Sequence, residues 1–217
     1  MSQYFNEHKL DEDKSVKLIV ACANANRDEV DTIIERDKNI RNTVNLKNNQ
    51  GETALHVTAT GGDHVIIQKL LDNGADMTIS DKQGCTPLMR ASAMGNLDAV
   101  QVFLSFNGEN LFFPGTNGQT PLHCACLISN MPLISQFIEL DHSGQTLKMK
   151  DKEGNSPFLA AANPPCNPEV LNFLLEHGSD INEQNNKGET ALLIAARAGA
   201  TPAVRFLLGK SKKTLIH

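Results

Sequence analysis

Gly118-Gln119-Thr120-Pro121-Leu122-His123 reads as a turn that passes directly into the first turn of a helix. The threonine hydroxyl accepts an orphan backbone N–H there, and a proline at the first helical position loses nothing by lacking its own. The same pattern recurs at Gly51-Glu52-Thr53-Ala54-Leu55-His56, Gly84-Cys85-Thr86-Pro87-Leu88-Met89, Gly154-Asn155-Ser156-Pro157-Phe158-Leu159 and Gly188-Glu189-Thr190-Ala191-Leu192-Leu193. Successive glycines lie 33, 34, 36 and 34 residues apart, so the chain is one unit repeated.

Each head opens a short inner helix, beginning at Ala54, Pro87, Pro121, Pro157 and Ala191. Small residues follow, as in Ala91-Ser92, Cys124-Ala125-Cys126 and Ala160-Ala161-Ala162, and let a neighbouring helix approach closely. The helix is broken at Gly62, Gly95, Ser129 and Gly199, where the link needs a residue that tolerates positive φ or a tight turn. An outer helix comes next, with apolar residues at helical spacing: Val65-Ile66-Ile67 and Leu70-Leu71, Val100 and Phe103-Leu104, Ile134 and Phe137-Ile138, Leu171 and Phe173-Leu174-Leu175, Val204 and Phe206-Leu207-Leu208. The fifth unit has Asn163-Pro164-Pro165-Cys166-Asn167-Pro168 at this link, one residue longer than the others.

The 33–36-residue period headed by Gly-x-Thr-Pro-Leu-His closely resembles the ankyrin repeat. Asn73-Gly74-Ala75-Asp76 and His177-Gly178-Ser179-Asp180 resemble the element that leads into the β-turn finger of that family. Asn107 stands where a glycine would fall in the third unit and is expected to adopt the left-handed conformation in its place. A degenerate first unit is visible as Leu18, Ala21-Cys22, Ala25-Asn26, Val30 and Ile33-Ile34. The resemblance implies an all-α solenoid of helix-turn-helix units with β-turn fingers. Its expected organisation is an N-terminal segment over 1–12, one ankyrin-repeat domain over 13–210 and a polar tail over 211–217. The units fall near 13–47, 48–80, 81–114, 115–150, 151–184 and 185–210, the first and last being atypical.

Composition agrees with a folded chain: 40% of residues are hydrophobic and 21% charged, with no Trp and one Tyr among 217 residues. The formal charge is −5, and no basic run exceeds the Lys210, Lys212, Lys213 cluster, which argues against a nucleic-acid partner. No apolar run reaches the length of a membrane span and no signal-peptide pattern opens the chain, so a cytoplasmic or nuclear location is expected. Five cysteines at irregular spacing are expected to be reduced thiols.

One helix pair cannot bury enough apolar surface alone, so interior positions are committed to stacking and only finger tips and exposed inner-helix positions remain free. In the ankyrin family that concave surface recognises proteins. The free positions that depart from a bland pattern are Arg90 and Met94 in the third unit and Leu127 and Ile128 in the fourth. Between them, Asn110-Leu111-Phe112-Phe113-Pro114-Gly115 replaces a polar finger. Phe112 and Phe113 have the character of interface anchors, or else fold back to plug the irregular spacing. Leu127 and Ile128 have a similar alternative, burial under the altered turn. The loop Asp141-His142-Ser143-Gly144-Gln145 is expected at the outer edge.

Signs of chemistry are weak. His123-Cys124-Ala125-Cys126 lacks a second pair to complete a zinc site, and adjacent helical residues do not converge. Gly209-Lys210-Ser211 lacks the glycine five residues earlier that a phosphate-binding loop needs, since Val204 is there. No cofactor, metal or catalytic set is expected. The resemblance also implies that Asn182 is open to an asparaginyl hydroxylase, the alternative being that it only braces its hairpin. The expected function is binding of another protein as an adaptor, inhibitor or assembly chaperone, by a monomer. The rival is the repeat region of a host-directed effector or of a longer multidomain protein; an enzyme ranks last.

Overall fold

The computed structural model describes residues 15–108 and 112–214. The described residues are helical with no strand, an all-α repeat architecture. The chain divides into two compact units, Met1–Asn110 and Leu111–His217, each taken by itself below.

In Met1–Asn110, residues 15–23 form α1, followed by α2 (Arg27–Arg36), the single turn α3 (Ile40–Thr43), and the hairpins α4 (Ala54–Gly61) with α5 (His64–Asp72) and α6 (Pro87–Met94) with α7 (Leu97–Phe106). Inner α4 packs on α6 and outer α5 on α7. In Leu111–His217 the hairpins are α8 (Pro121–Leu127) with α9 (Met131–Leu140), α10 (Pro157–Ala161) with α11 (Pro168–Glu176), and α12 (Ala191–Arg197) with α13 (Thr201–Thr214). There α8, α10 and α12 stack in order, and α11 packs on α13.

Caps explain why the helices begin where they do. Thr86, Thr120, Ser156 and Thr190 accept the N–H three residues on, and Pro87, Pro121 and Pro157 sit in the first turn. Outer helices have their own caps, which the apolar spacing does not reveal: Asp63 accepts from Val65 and Ile66, Asn130 from Leu133 and Asn167 from Glu169. The links between helices are left-handed at Gly62, Gly95, Ser129 and Gly199, as the sequence requires. In the fifth unit that conformation falls one residue later, on Cys166 at φ 48°.

The outer helices end in two ways. After α5 and α11 a glycine turns left-handed: Ala75 N–H reaches Leu70 C=O and Gly74 N–H reaches Leu71 C=O, with Ser179 and Gly178 repeating the arrangement on Leu174 and Leu175. Asn107 does not do this. Against expectation it is extended, at φ −155° and ψ 106°, with its N–H closing one last helical bond to Phe103. Asp37 and Asp141 end α2 and α9 similarly, and each carboxylate organises the following loop. Asp37 receives Asn39 N–H and Thr43 Oγ1. Asp141 receives both the N–H and the hydroxyl of Ser143 and of Thr146. At the other end α13 runs to Thr214, where the sequence suggests a polar tail from 211.

Each unit has a core of mostly Leu, Ile, Val and Ala with few aromatics; Phe103 in the first and Phe137 and Phe158 in the second are fully buried. Burying a side chain of that size contributes about 1.5–3 kcal/mol, so each layer depends on its neighbour for most of its stability.

Candidate functional site

The glycine heads carry the fingers. Asp81, Asp151 and Asn185 each stand three residues before their glycine, and the side-chain Oδ1 of each accepts two backbone N–H groups across the turn. For Asp151 these come from Glu153 at 3.0 Å and Asn155 at 2.8 Å. Neighbouring fingers are joined through the main chain: Lys152 N–H donates to Asn117 C=O at 2.9 Å, and Asn186 N–H to Glu153 C=O at 2.9 Å. A Cβ on Gly118, at φ 81°, would lie 3.0 Å from Lys152 N, so only glycine allows the two fingers this close.

The histidines of the heads tie helix to finger. His123 Nδ1 accepts Thr120 N–H at 3.2 Å, which leaves Nε2–H to donate to Asn155 C=O at 3.0 Å. His56 does the same between Thr53 and Cys85. Both rings are fully buried, and loss of solvation holds their pKa below the ordinary imidazole value, so they are neutral and structural. Cys126, three residues after His123, is fully buried and its thiol pKa is pushed up by loss of solvation. Among the described residues no three His, Cys, Asp or Glu side chains group as a metal site.

In Leu111–His217 the fingers and inner helices enclose a groove of about 350 Å³. Its floor is Leu127 of α8, Ala160 and Asn163 at α10, and Ile194 and Arg197 of α12. Its walls are finger residues: Asn117 and Gln119, Asp151 to Asn155 with Lys152 and Glu153 between, then Asn185, Lys187 and Glu189. Many of the polar groups are already engaged: Asn185 Nδ2 donates to Asn155 Oδ1 at 3.0 Å, Asn117 Nδ2 to Gln119 Oε1 at 3.0 Å, and Arg197 pairs with Glu189. Lys187 and Glu153 lie 3.6 Å apart on the exposed rim. A small apolar floor inside a pre-ordered polar frame suits an extended or loop-shaped polypeptide.

The residues singled out in the sequence fall in both units, Arg90 and Met94 in Met1–Asn110 and the others in Leu111–His217. Leu127 is half-buried on the groove floor, and Ile128, at the end of α8, is 39% exposed. Phe113 is exposed and Phe112 half-buried, while Asn110 and Leu111 lie outside the described residues. Met94 is 57% exposed in Met1–Asn110. Arg90 is committed elsewhere: its Nε is 2.7 Å and its Nη2 2.5 Å from Asp81 Oδ2, a carboxylate buried under its own finger. Burial alone would raise the Asp81 pKa, but hydrogen bonds from Cys85 N–H and Arg90 outweigh it and hold the carboxyl below its usual range. Arg90 therefore braces a finger. Asn182 has an exposed side chain, and its N–H donates to Asp180 Oδ1 at 2.9 Å.

Sequence reasoning missed two features. The finger Asp and Asn residues were legible as a recurrence three places before four of the five head glycines, Gly118 having Gly115 there instead. A second groove, about 620 Å³, lies in the degenerate first unit between Val16, Ile19 and Val20 of α1 and residues Leu46 to Gln50. It carries no motif, because the first unit lacks a Gly-x-Thr head.

Repeated layers of paired helices, joined by hydrogen-bonded fingers over a shallow groove, define a repeat protein of the ankyrin type. The chain belongs to the ankyrin-repeat family: the family profile described as "Ankyrin repeats (3 copies)" matches residues 18–113, 95–185 and 158–216. Human NF-kappa-B inhibitor zeta is 27% identical over 236 residues, covering 92% of this chain and 33% of its own length. The E3 ubiquitin-protein ligase KEG of Arabidopsis thaliana is 28% identical over 209 residues, covering 92% of this chain and 13% of its own. The chain thus spans a third or less of the length of these relatives. Among solved structures, a chain of the complex described as the predatory endopeptidase Bd0816 of Bdellovibrio bacteriovorus with immunity protein Bd3460 superposes with a TM-score of 0.75 at 22% identity. The match covers 89% of this chain and 97% of that one, and it shows a shared fold. The family is a protein-interaction fold. No helix among the described residues is long and apolar enough to cross a membrane.

Proposed function

We propose that this chain is a non-enzymatic binding module whose groove over α8, α10 and α12 holds a segment of a partner protein, in an adaptor, inhibitor or assembly-chaperone role. The observation that carries the reading is the groove itself, an apolar floor at Leu127 and Ile194 within fingers ordered by their own hydrogen bonds. A pre-ordered frame lowers the entropic cost of gripping a flexible segment. The formal charge of −5 suits a partner with basic segments, in the cytoplasm or nucleus. A relative whose name describes an inhibitor of NF-kappa-B supports a regulatory role.

A second reading, the repeat region of a longer polypeptide, is favoured by the small share of each relative that the chain spans. Asn182, exposed at a finger, is in this proposal a substrate for an asparaginyl hydroxylase; a peptide from the native host with no added oxygen would count against it.

The test of the groove is affinity capture with the intact chain, a Leu127→Glu/Ile194→Glu variant and a Leu140→Glu control on the exposed side of α9. Ile194 is buried, so a Leu127→Glu single variant and unfolding curves accompany the pair. Loss of the same protein with both groove variants, but not with the control, supports the proposal. Equal capture by all of them refutes it.

A further inference from the structure

The chain carries three Asn-Gly pairs, Asn73-Gly74, Asn107-Gly108 and Asn117-Gly118. Such a pair can attack itself, because a residue without a Cβ lets its amide nitrogen swing onto the side-chain carbonyl of the asparagine before it. The fold treats the three differently. Gly74 N–H is held by Leu71 C=O at 3.0 Å, and Asn73 Nδ2 donates to Lys69 C=O at 2.8 Å. Gly118 N–H is held by Gly115 C=O at 2.9 Å, while Asn117 accepts Gln119 N–H at 3.1 Å and donates to Gln119 Oε1 at 3.0 Å. Both asparagines are half-buried. At the end of α7 the extended backbone of Asn107 carries Gly108 out of the helix, and Gly108 N–H meets no hydrogen-bond acceptor among the described residues. Asn107 and Gly108 are both exposed, and a Cβ placed on Gly108 would find nothing within 4 Å.

We propose that Asn107-Gly108 is a site of spontaneous covalent modification, where the Gly108 amide nitrogen closes a succinimide on the Asn107 side chain and water opens it to aspartate or isoaspartate. The nitrogen loses its proton to hydroxide and bonds to Cγ of Asn107. The Cγ–Nδ2 bond breaks, and Nδ2 takes a proton from water and leaves as ammonia, which restores the hydroxide. Water then adds to either ring carbonyl and a ring C–N bond breaks, with no oxidation or reduction. At Asn73 and Asn117 the same attack must first break the hydrogen bond that holds the glycine nitrogen, so only the locally opened fraction reacts. The product changes α7. Its new carboxylate stands at the C-terminal end of the helix, where the last carbonyls carry partial negative charge and no basic residue lies in the final turn. The modification therefore loosens the last turn of α7, a slow one-way change that needs no enzyme.

Ageing the 217-residue protein in mildly alkaline buffer tests this, with its asparagine peptides followed by mass and by isoaspartate content against an unaged sample. A Gly108→Ala variant runs beside it. Space around Gly108 is open and its φ lies outside the left-handed region, so the variant is expected to keep the wild-type unfolding midpoint. The expected result is conversion at Asn107 roughly tenfold or more faster than at Asn73 or Asn117, with isoaspartate among the products and a clear slowing in Gly108→Ala. An Asn107→Asp variant is expected to exchange the amides of Phe103 to Phe106 faster than wild type. Conversion at Asn107 no faster than at the other two pairs overturns the proposal, as does an unchanged rate in Gly108→Ala. Unchanged exchange in Asn107→Asp overturns the loosening of α7. Asn107 belongs to Met1–Asn110 and the groove to Leu111–His217, so failure here leaves capture at the groove untouched.

Discussion

Replacing Ser129 by glycine is expected to stabilise the protein. Ser129 makes the tight link between α8 and α9 at φ 55°, the conformation that Gly62, Gly95 and Gly199 supply in other units. For a residue with a side chain that conformation costs roughly 1–2 kcal/mol. The Ser129 hydroxyl is also buried with no hydrogen-bond partner among the described residues, a further cost of about 1–3 kcal/mol relative to the unfolded chain. Against this, glycine loses more backbone freedom on folding, about 0.5–1 kcal/mol. The balance favours Ser129→Gly by about 2 kcal/mol. With urea m-values of about 1–3 kcal/mol/M, the unfolding midpoint rises by roughly 1 M at unchanged m. Ser129→Ala separates the two effects, since it removes the hydroxyl and keeps the backbone strain, and its midpoint is expected between the other two. A Ser129→Gly midpoint equal to or below wild type refutes the reasoning, because the hydroxyl and the backbone together would then cost no more than the freedom that glycine loses.

Four further outcomes follow from the same geometry. Stability falls on acidification from pH 7 towards 5: burial lowers the pKa of His56 and His123 in the folded state, so the unfolded chain binds protons first as pH drops below about 6.5, with a slope of at most about 1.4 kcal/mol per pH unit per histidine. Urea midpoints at two pH values measure it, and His123→Leu, which copies Leu159 and Leu193, is expected to flatten the slope. Asp141→Ala strips four hydrogen bonds from Ser143 and Thr146 and is expected to cost about 2 kcal/mol or more, read by thermal unfolding. Gly118→Ala, forced at φ 81° against Lys152 N, is expected to lower the unfolding midpoint by a comparable amount, and amide exchange at Lys152 to quicken. Arg90→Ala is expected to destabilise by about 1 kcal/mol through Asp81 while leaving partner capture at the α8–α12 groove unchanged.

The repeat was legible because its signals are local. A threonine before a proline and a residue that tolerates positive φ at the link act within a few residues of backbone, so Pro121, Gly62 and even Ser129 could be assigned from sequence. Asn107 shows the limit of that reasoning. Its tolerance of the left-handed region was a permission, and the backbone took the extended exit, with one more bond to Phe103. Arg90 shows another limit. Its place on the inner helix was readable, but its pairing with Asp81 nine residues earlier depends on how the finger folds back over the helix.

What the sequence determined by itself is the unit: its length, its two helices, its turn residues and the apolar stripe that obliges each layer to find a neighbour. Those are properties of spacing and backbone chemistry, fixed over a handful of bonds. Which side chains remain free was decided only by the tertiary structure. Leu159 and Leu193 have the same residue type at the same place in their units, yet one is fully buried and the other 55% exposed. The difference lies in the presence of a covering layer, a contact between segments far apart in the chain that no local spacing encodes.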